Sequence, residues 1–181
     1  MKFIANSLEE TNMLAESLAK YLRVNDILTL EGGLGAGKTS FIKALARGMG
    51  INPDDVSSPT FTIMQVYESE KSEMKLCHFD VYRLKDGESF YQEGFDEQFN
   101  ADMVVCIEWP EIIESILPED RLILRIFVDR ENNIDFEAER LVLAEDNSRR
   151  IFDFIATGSK SAEVLNNWAT SSDYPNQLLA E

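Results

Sequence analysis

The chain has 181 residues, and 17 basic against 33 acidic side chains give it a formal net charge of −16 and a pI near 4.4. That length predicts one domain, and 44% hydrophobic residues with eleven Phe are too much apolar side chain for a disordered chain. The charge excludes a basic nucleic-acid-binding face: residues 1–90 carry 10 basic and 13 acidic side chains (net −3), and residues 91–181 carry 7 and 20 (net −13). The second half repels a polyanion, so any RNA is expected to be held by another protein. The longest apolar run, Met103-Val104-Val105-Cys106-Ile107, is far short of the roughly 18 residues of a membrane span. Met1–Asn6 lacks the apolar stretch of a secretion signal, and Cys77 and Cys106 form no disulfide framework. A cytoplasmic protein with no membrane partner is the expectation.

In chain order, Ser7-Leu8-Glu9-Glu10 reads as a capping box, and Leu8, Thr11, Leu14, Ala15, Leu18, Tyr21 and Leu22 predict an amphipathic helix over 8–22. Asp26–Glu31 is a short apolar strand that runs into Gly32-Gly33. A helix follows from Lys38, with Phe41, Ile42, Leu45 and Met49 on one face and Gly48 and Gly50 as stop signals. Phe61–Tyr67 and Lys75–Tyr82 read as strands around the charged turn Glu68–Glu73. Residues 85–101 are polar and predict a short helix and loop. Met103–Ile107 reads as a central strand covered on both faces, and Glu111–Leu117 as a short helix. Leu122, Leu124, Ile126 and Val128 alternate, and Asp129–Asn133 turns into Ile134–Leu143, a hairpin that makes the sheet mixed. Strand and helix in alternation predict an α/β layer fold. From Thr157 the composition turns polar, which reads as a frayed tail, with Val164, Leu165 and Trp168 able to form one helical turn.

Gly32-Gly33-Leu34-Gly35-Ala36-Gly37-Lys38-Thr39 matches G-x-x-x-x-G-K-[ST], the phosphate-binding P-loop. Glycines let the backbone wrap an anion without Cβ clashes, and the helix that starts at Lys38 adds the positive end of its dipole. Lys38 is placed to reach the β- and γ-phosphates and Thr39 to hold Mg²⁺. With Gly at about 7% of average chains, the four fixed positions coincide by chance on the order of 10⁻⁵ per window. An apolar strand before the loop and an amphipathic helix after it complete the pattern. ATP and Mg²⁺ are the expected cofactors.

Such a loop needs a carboxylate from a neighbouring strand to orient the metal or its waters. Glu108 ends the run Met103–Ile107, and Asp80 ends Leu76-Cys77-His78-Phe79; either position is the C-terminal edge of a strand, where ligands of such sheets bind. Ser57-Ser58-Pro59-Thr60-Phe61 is a hydroxyl-rich stretch that Pro59 stiffens, in the place of a switch loop or of a plain turn. His78 is the one histidine and cannot build a zinc site, and both cysteines sit in strand patterns as inert buried thiols. Trp109 reads equally as core or as contact surface.

Glu31–Phe41, Ser58-Pro59-Thr60-Phe61-Thr62, His78-Phe79-Asp80-Val81-Tyr82-Arg83-Leu84 and Ile107-Glu108-Trp109-Pro110-Glu111, in this order, resemble the bacterial TsaE (YjeE) family over about Ser7 to Leu143. The resemblance implies a three-layer α/β P-loop NTPase-like fold with a mixed β-sheet. It also implies a small ATPase needed to make threonylcarbamoyladenosine in tRNAs that read codons beginning with A, acting with the TsaD–TsaB pair. By the same resemblance Gly35, Ala36, Gly37, Lys38, Thr39 and Ser40 hold the nucleotide. Thr39 and Glu108 are the magnesium positions, and Lys38, Asp80 and Glu108 serve hydrolysis. Thr11 lies beside the base, and Arg140 matches a basic residue near the nucleotide. Members mostly stop near Ile155, so residues 1–155 are expected to form the P-loop ATPase domain and 156–181 a flexible extension. A small-molecule kinase and a nucleotide-gated interaction module are the competing classes. The first fits poorly because Arg121, Arg125 and Arg130 spread along a strand rather than gather into a lid.

Overall fold

The apolar runs of the sequence become the centre of one sheet. The computed structural model describes residues 1–130, 133–134 and 149–178. Strands β1 (Lys2–Ala5), β2 (Ile27–Glu31), β3 (Met64–Glu68), β4 (Lys75–Asp80), β5 (Val104–Glu108), β6 (Leu122–Arg130), β7 (Asn133–Ile134) and β8 (Arg150–Ala156) alternate with helices α1 (Leu8–Ala19), α2 (Lys38–Gly48), α3 (Gly87–Gln92) and α4 (Ser159–Ala169). Sheet order is β1-β8-β6-β2-β5-β4-β3, with β7 against β6. β6-β2-β5-β4 are mutually parallel, while β1-β8, β8-β6 and β4-β3 are antiparallel, so the sheet is mixed.

Two cores lie on opposite faces of the sheet. On one, Leu28, Leu30, Val104, Cys106 and Leu124 pack against Leu14 and Leu18 of α1 and Phe41, Ile42 and Leu45 of α2. On the other, Cys77, Phe79, Val105 and Ile107 pack against Phe90, Phe99 and Ile113. The period of two sends Cys77 and Cys106 to different faces, where both stay free and buried; burial pushes the Cys77 thiol up to about 12. All five residues of β5 are buried, as its unbroken apolar run predicts. Among the described residues no helix is long and apolar enough to cross a membrane.

Several boundaries differ from the sequence reading, each for a local reason. α1 stops at Ala19 rather than 22. The strand expected from Phe61 starts at Met64, because Ile63 sits at φ 65 and interrupts the extended backbone, leaving Phe61 83% exposed. The short helix expected over Glu111–Leu117 is a 3₁₀ segment over Pro110–Ile116. The expected hairpin strand Ile134–Leu143 is described only at Asn133–Ile134, which pairs with β6 through Asp129↔Ile134; its remainder lies outside the described residues. β1 and β8 are not legible as strands in the sequence: β1 has four residues and, among the described residues, pairs with β8 on one side.

Over 159–169 the residues read as a flexible tail form α4 instead. Val164, Leu165 and Trp168 make one buried stripe, and the Trp168 ring lies 5.2 Å from Phe3, 5.3 Å from Phe154 and 5.4 Å from Tyr174. Its Nε1 donates to Ser17 Oγ at 3.2 Å. The Asp120 carboxylate caps the helix from β6's side, accepting from the backbone N–H of Lys160 (2.8 Å) and Ser161 (2.9 Å), bonds that hold its pKa below the usual carboxylate range. A Cβ at position 158 would stand 2.2 Å from Asp120 Cγ, so any side chain there would displace the capping carboxylate.

Candidate nucleotide-binding site

The parallel strands β2, β5 and β4 end on one edge of the sheet, and the register Leu30↔Glu108↔Asp80 sets the two carboxylates side by side. The loop 32–37 leaves β2 at that edge and turns into α2. Gly32 (φ 151) approaches β6 so closely that a Cβ would stand 2.7 Å from the Ile126 carbonyl oxygen. Gly37 opens α2 in the left-handed region (φ 107) without a side-chain cap, so the first N–H groups of the helix are left for another acceptor. Gly35, at φ 77, is exposed, with no atom within 4 Å of where its Cβ would lie. Ala36 is buried, and its carbonyl accepts a 3.0 Å bond from Arg150 Nε, which reaches the loop from β8. A phosphate group therefore fits this loop: a helix N-terminus whose first N–H groups meet no side-chain cap among the described residues, a Gly32 whose Cβ would clash with β6, and a brace behind it.

Lys38 is 4% exposed; its Nζ donates to the carbonyls of Gly32 (2.5 Å) and Gly33 (3.1 Å) and stands 3.6 Å from the centroid of the Trp109 ring. Burial lowers its pKa below the ordinary lysine value, against the opposing pull of Glu108, Glu111 and Asp80. Trp109, which the sequence left between core and contact surface, follows β5 at φ 63 and ψ 45, an unusual backbone for so bulky a residue. That conformation turns its ring to Lys38 and Tyr82, the latter at a centroid distance of 4.9 Å.

Glu108 Oε1 accepts from Thr39 Oγ1 at 2.8 Å and lies 2.9 Å from His78 Nε2. Asp80 Oδ2 accepts from Ser58 Oγ (2.7 Å) and Thr60 Oγ1 (2.6 Å), and Oδ1 accepts from the Tyr82 N–H (3.2 Å). Asp80 thereby ties the hydroxyl-rich loop after α2 to the sheet edge. Among the described residues no three His, Cys, Asp or Glu gather to hold a metal by themselves. One hydroxyl beside one carboxylate suits magnesium, which takes one or two carboxylates and completes its shell with phosphate oxygens and waters; a zinc site needs more protein ligands.

Lys38, Thr39, Glu108 and Asp80 therefore lie together at this edge of the sheet. Ser40 is exposed on the first turn of α2. Thr11 is buried in α1, and its hydroxyl donates to the Ser7 carbonyl at 3.2 Å; no hydrogen bond joins it to the loop among the described residues. Arg140 lies outside the described residues. Two participants escaped the sequence reading. Arg150 is separated from Ala36 by 114 positions, and only the alternation of Arg150, Phe152 and Phe154 toward the core signals it. His78 was set aside for metal binding, but its position two residues before Asp80 puts it on the face that carries Glu108.

A family model for the threonylcarbamoyl adenosine biosynthesis protein TsaE matches residues 5–139. The tRNA threonylcarbamoyladenosine biosynthesis protein TsaE of Bacillus subtilis (strain 168) is 42% identical over 132 residues, covering 72% of this chain and 80% of that one. Its counterpart from Aquifex aeolicus (strain VF5) is 40% identical over 134 residues, 68% of this chain and 93% of that one. The crystal structure of Bacillus subtilis YdiB matches with a TM-score of 0.70 at 30% identity, covering 93% of each chain. A mixed α/β sheet with a phosphate loop at its edge, and relatives this similar over most of their length, lead to one assignment: the chain belongs to the TsaE family and to tRNA threonylcarbamoyladenosine biosynthesis.

Proposed function

We propose that the protein binds Mg-ATP at the β2–α2 loop and hydrolyses it, in the cytoplasm, to drive the TsaD–TsaB pair that makes threonylcarbamoyladenosine in tRNAs reading A-starting codons. The observation that carries this reading is the Thr39–Glu108 bond of 2.8 Å at the sheet edge, one residue from Lys38. When bound, Mg²⁺ would be held by Thr39 and Glu108 and would draw off negative charge from the β- and γ-phosphate oxygens. Lys38 exchanges the Gly32 and Gly33 carbonyls for phosphate oxygens, and the free N–H groups of α2 hold the same anion. Water attacks the γ-phosphorus, the bond to the β-phosphate oxygen breaks, and ADP and phosphate leave. Asp80 holds Ser58 and Thr60 beside that reaction.

Hydrolysis by the protein alone is slow on this reading. Arg125 is paired with Glu31 at 2.7 Å, Arg121 with Glu114, and Arg83 stacks on Phe61 at 4.2 Å, so none of the three is aimed at the loop. An arginine finger is worth about 10³–10⁵ in rate. The same commitments keep Arg83, Arg121 and Arg125 from forming the arginine lid of a kinase. The acidic second half disfavours direct contact with tRNA, which makes protein contact the source of activation. Steady-state phosphate release, measured with and without TsaD–TsaB, tests this: weak turnover alone and clear stimulation by the pair support it. Equal turnover in both contradicts it.

A further inference from the structure

His78 is fully buried on β4, in register with Cys106 and on the sheet face that carries Glu108. Its Nε2 lies 2.9 Å from Glu108 Oε1, the oxygen that also accepts from Thr39. A carboxylate oxygen only accepts, so this contact is a hydrogen bond when Nε2 carries the proton. The other ring nitrogen, Nδ1, is buried with no hydrogen-bond partner among the described residues. An imidazole placed in a sheet interior with one nitrogen unsatisfied costs free energy that an apolar side chain at the same position would not. The neighbours show what the position tolerates: Leu76, Val104 and Cys106 fill the same face. Among the described residues, the hydrogen-bond partner of His78 there is Glu108.

We infer that His78 is a positioning residue. It donates from behind to Glu108 Oε1 and thereby fixes the rotation of the carboxylate, so that the remaining lone pairs of Glu108 point toward Thr39 and a divalent cation shared with the nucleotide. The inference rests on the Mg-ATP reading above and extends it by one shell. Glu108 is 3% exposed and ends a strand, so its backbone is held, but its carboxylate still rotates about terminal bonds. Thr39 alone gives it one hydrogen bond from one side. His78 supplies a second from the interior, where water does not compete. Groups that orient a metal-directed carboxylate in this way typically contribute about 10–100-fold to metal affinity. His78 is fully buried and reaches the site through Glu108, so its loss should appear in the metal dependence of binding rather than in binding of the nucleotide itself.

The test is calorimetric titration of the full chain with a non-hydrolysable ATP analogue carrying a β,γ-imido bridge, in EDTA and in saturating Mg²⁺. The readout is the ratio of the two affinities for wild type, His78→Leu, His78→Asn and His78→Gln. The amide nitrogen of Gln reaches as far as Nε2, whereas that of Asn reaches only as far as Nδ1. The Mg²⁺-dependent gain should therefore fall by about 10–100-fold in the Leu and Asn variants and stay within about threefold of wild type in the Gln variant. Affinity in EDTA should be alike in all four, which also reports that each is folded; the Gln–Asn pair decides the question if the Leu variant does not fold. A Leu or Asn variant with the wild-type gain overturns the inference, as does a Gln variant as weak as Asn. A wild-type protein whose affinity ignores Mg²⁺ overturns it together with the Mg-ATP reading.

Discussion

Trp168→Ala should lower the melting temperature by roughly 8–16 °C, although the residue lies in a segment whose composition reads as a tail. Its ring is fully buried, with three aromatic neighbours at 5.2–5.4 Å. Truncating a buried Trp to Ala costs about 3–5 kcal/mol, transfer and cavity together. The lost Nε1 bond adds little, because the mutation deletes the donor and the Ser17 hydroxyl keeps its own 2.8 Å bond to the Leu14 carbonyl. About 4 kcal/mol at roughly 2–4 °C per kcal/mol for a domain of this size gives the stated range. Differential scanning calorimetry on both proteins reads it, and deleting 157–181 should destabilise at least as much. A fall below about 4 °C would mean that α4 is not part of the cooperative fold.

Lys38→Ala should weaken ATP by more than about tenfold, or 1.4 kcal/mol, while leaving the melting temperature unchanged or raised, because desolvation is the largest influence on Lys38. Calorimetry and a thermal melt read the two halves. The lowered pKa of Lys38 means that its charge is lost below the ordinary 10.5, so ATP binding should fall on the alkaline side before that value. The sign for stability is opposite: the folded state holds fewer protons than the unfolded one in that window, so this group's contribution rises with pH. An affinity flat up to pH 10.5 would contradict it. Asp80→Asn weakens the charge-assisted bonds to Ser58 and Thr60; kcat should fall while ATP affinity stays within about threefold, and amide exchange over 57–63 should accelerate.

What the sequence made legible was contiguous chemistry. Gly32 to Thr39 is read from neighbours in the chain, and Glu108 and Asp80 are read from their place at the ends of apolar runs. What it hid depends on register between distant strands. The meeting of His78 with Glu108 requires β4 and β5 to pair as Asp80↔Glu108, and the reach of Arg150 to Ala36 requires β8 to lie beside β6. No periodicity within either segment states those alignments. α4 was hidden for another reason: three apolar side chains suffice to dock it once Phe3 and Ser17 supply the facing surface. The αL turns at Ile63 and Trp109 carry no glycine or asparagine to announce them.

The most direct test is phosphate release by Glu108→Gln in the presence of TsaD–TsaB. Gln preserves the shape and the bond from Thr39 but removes the charge that suits a magnesium ion. The stimulated rate should be lost while the protein melts as wild type does. A Glu108→Gln protein that keeps the full stimulated rate would contradict hydrolysis at this sheet edge.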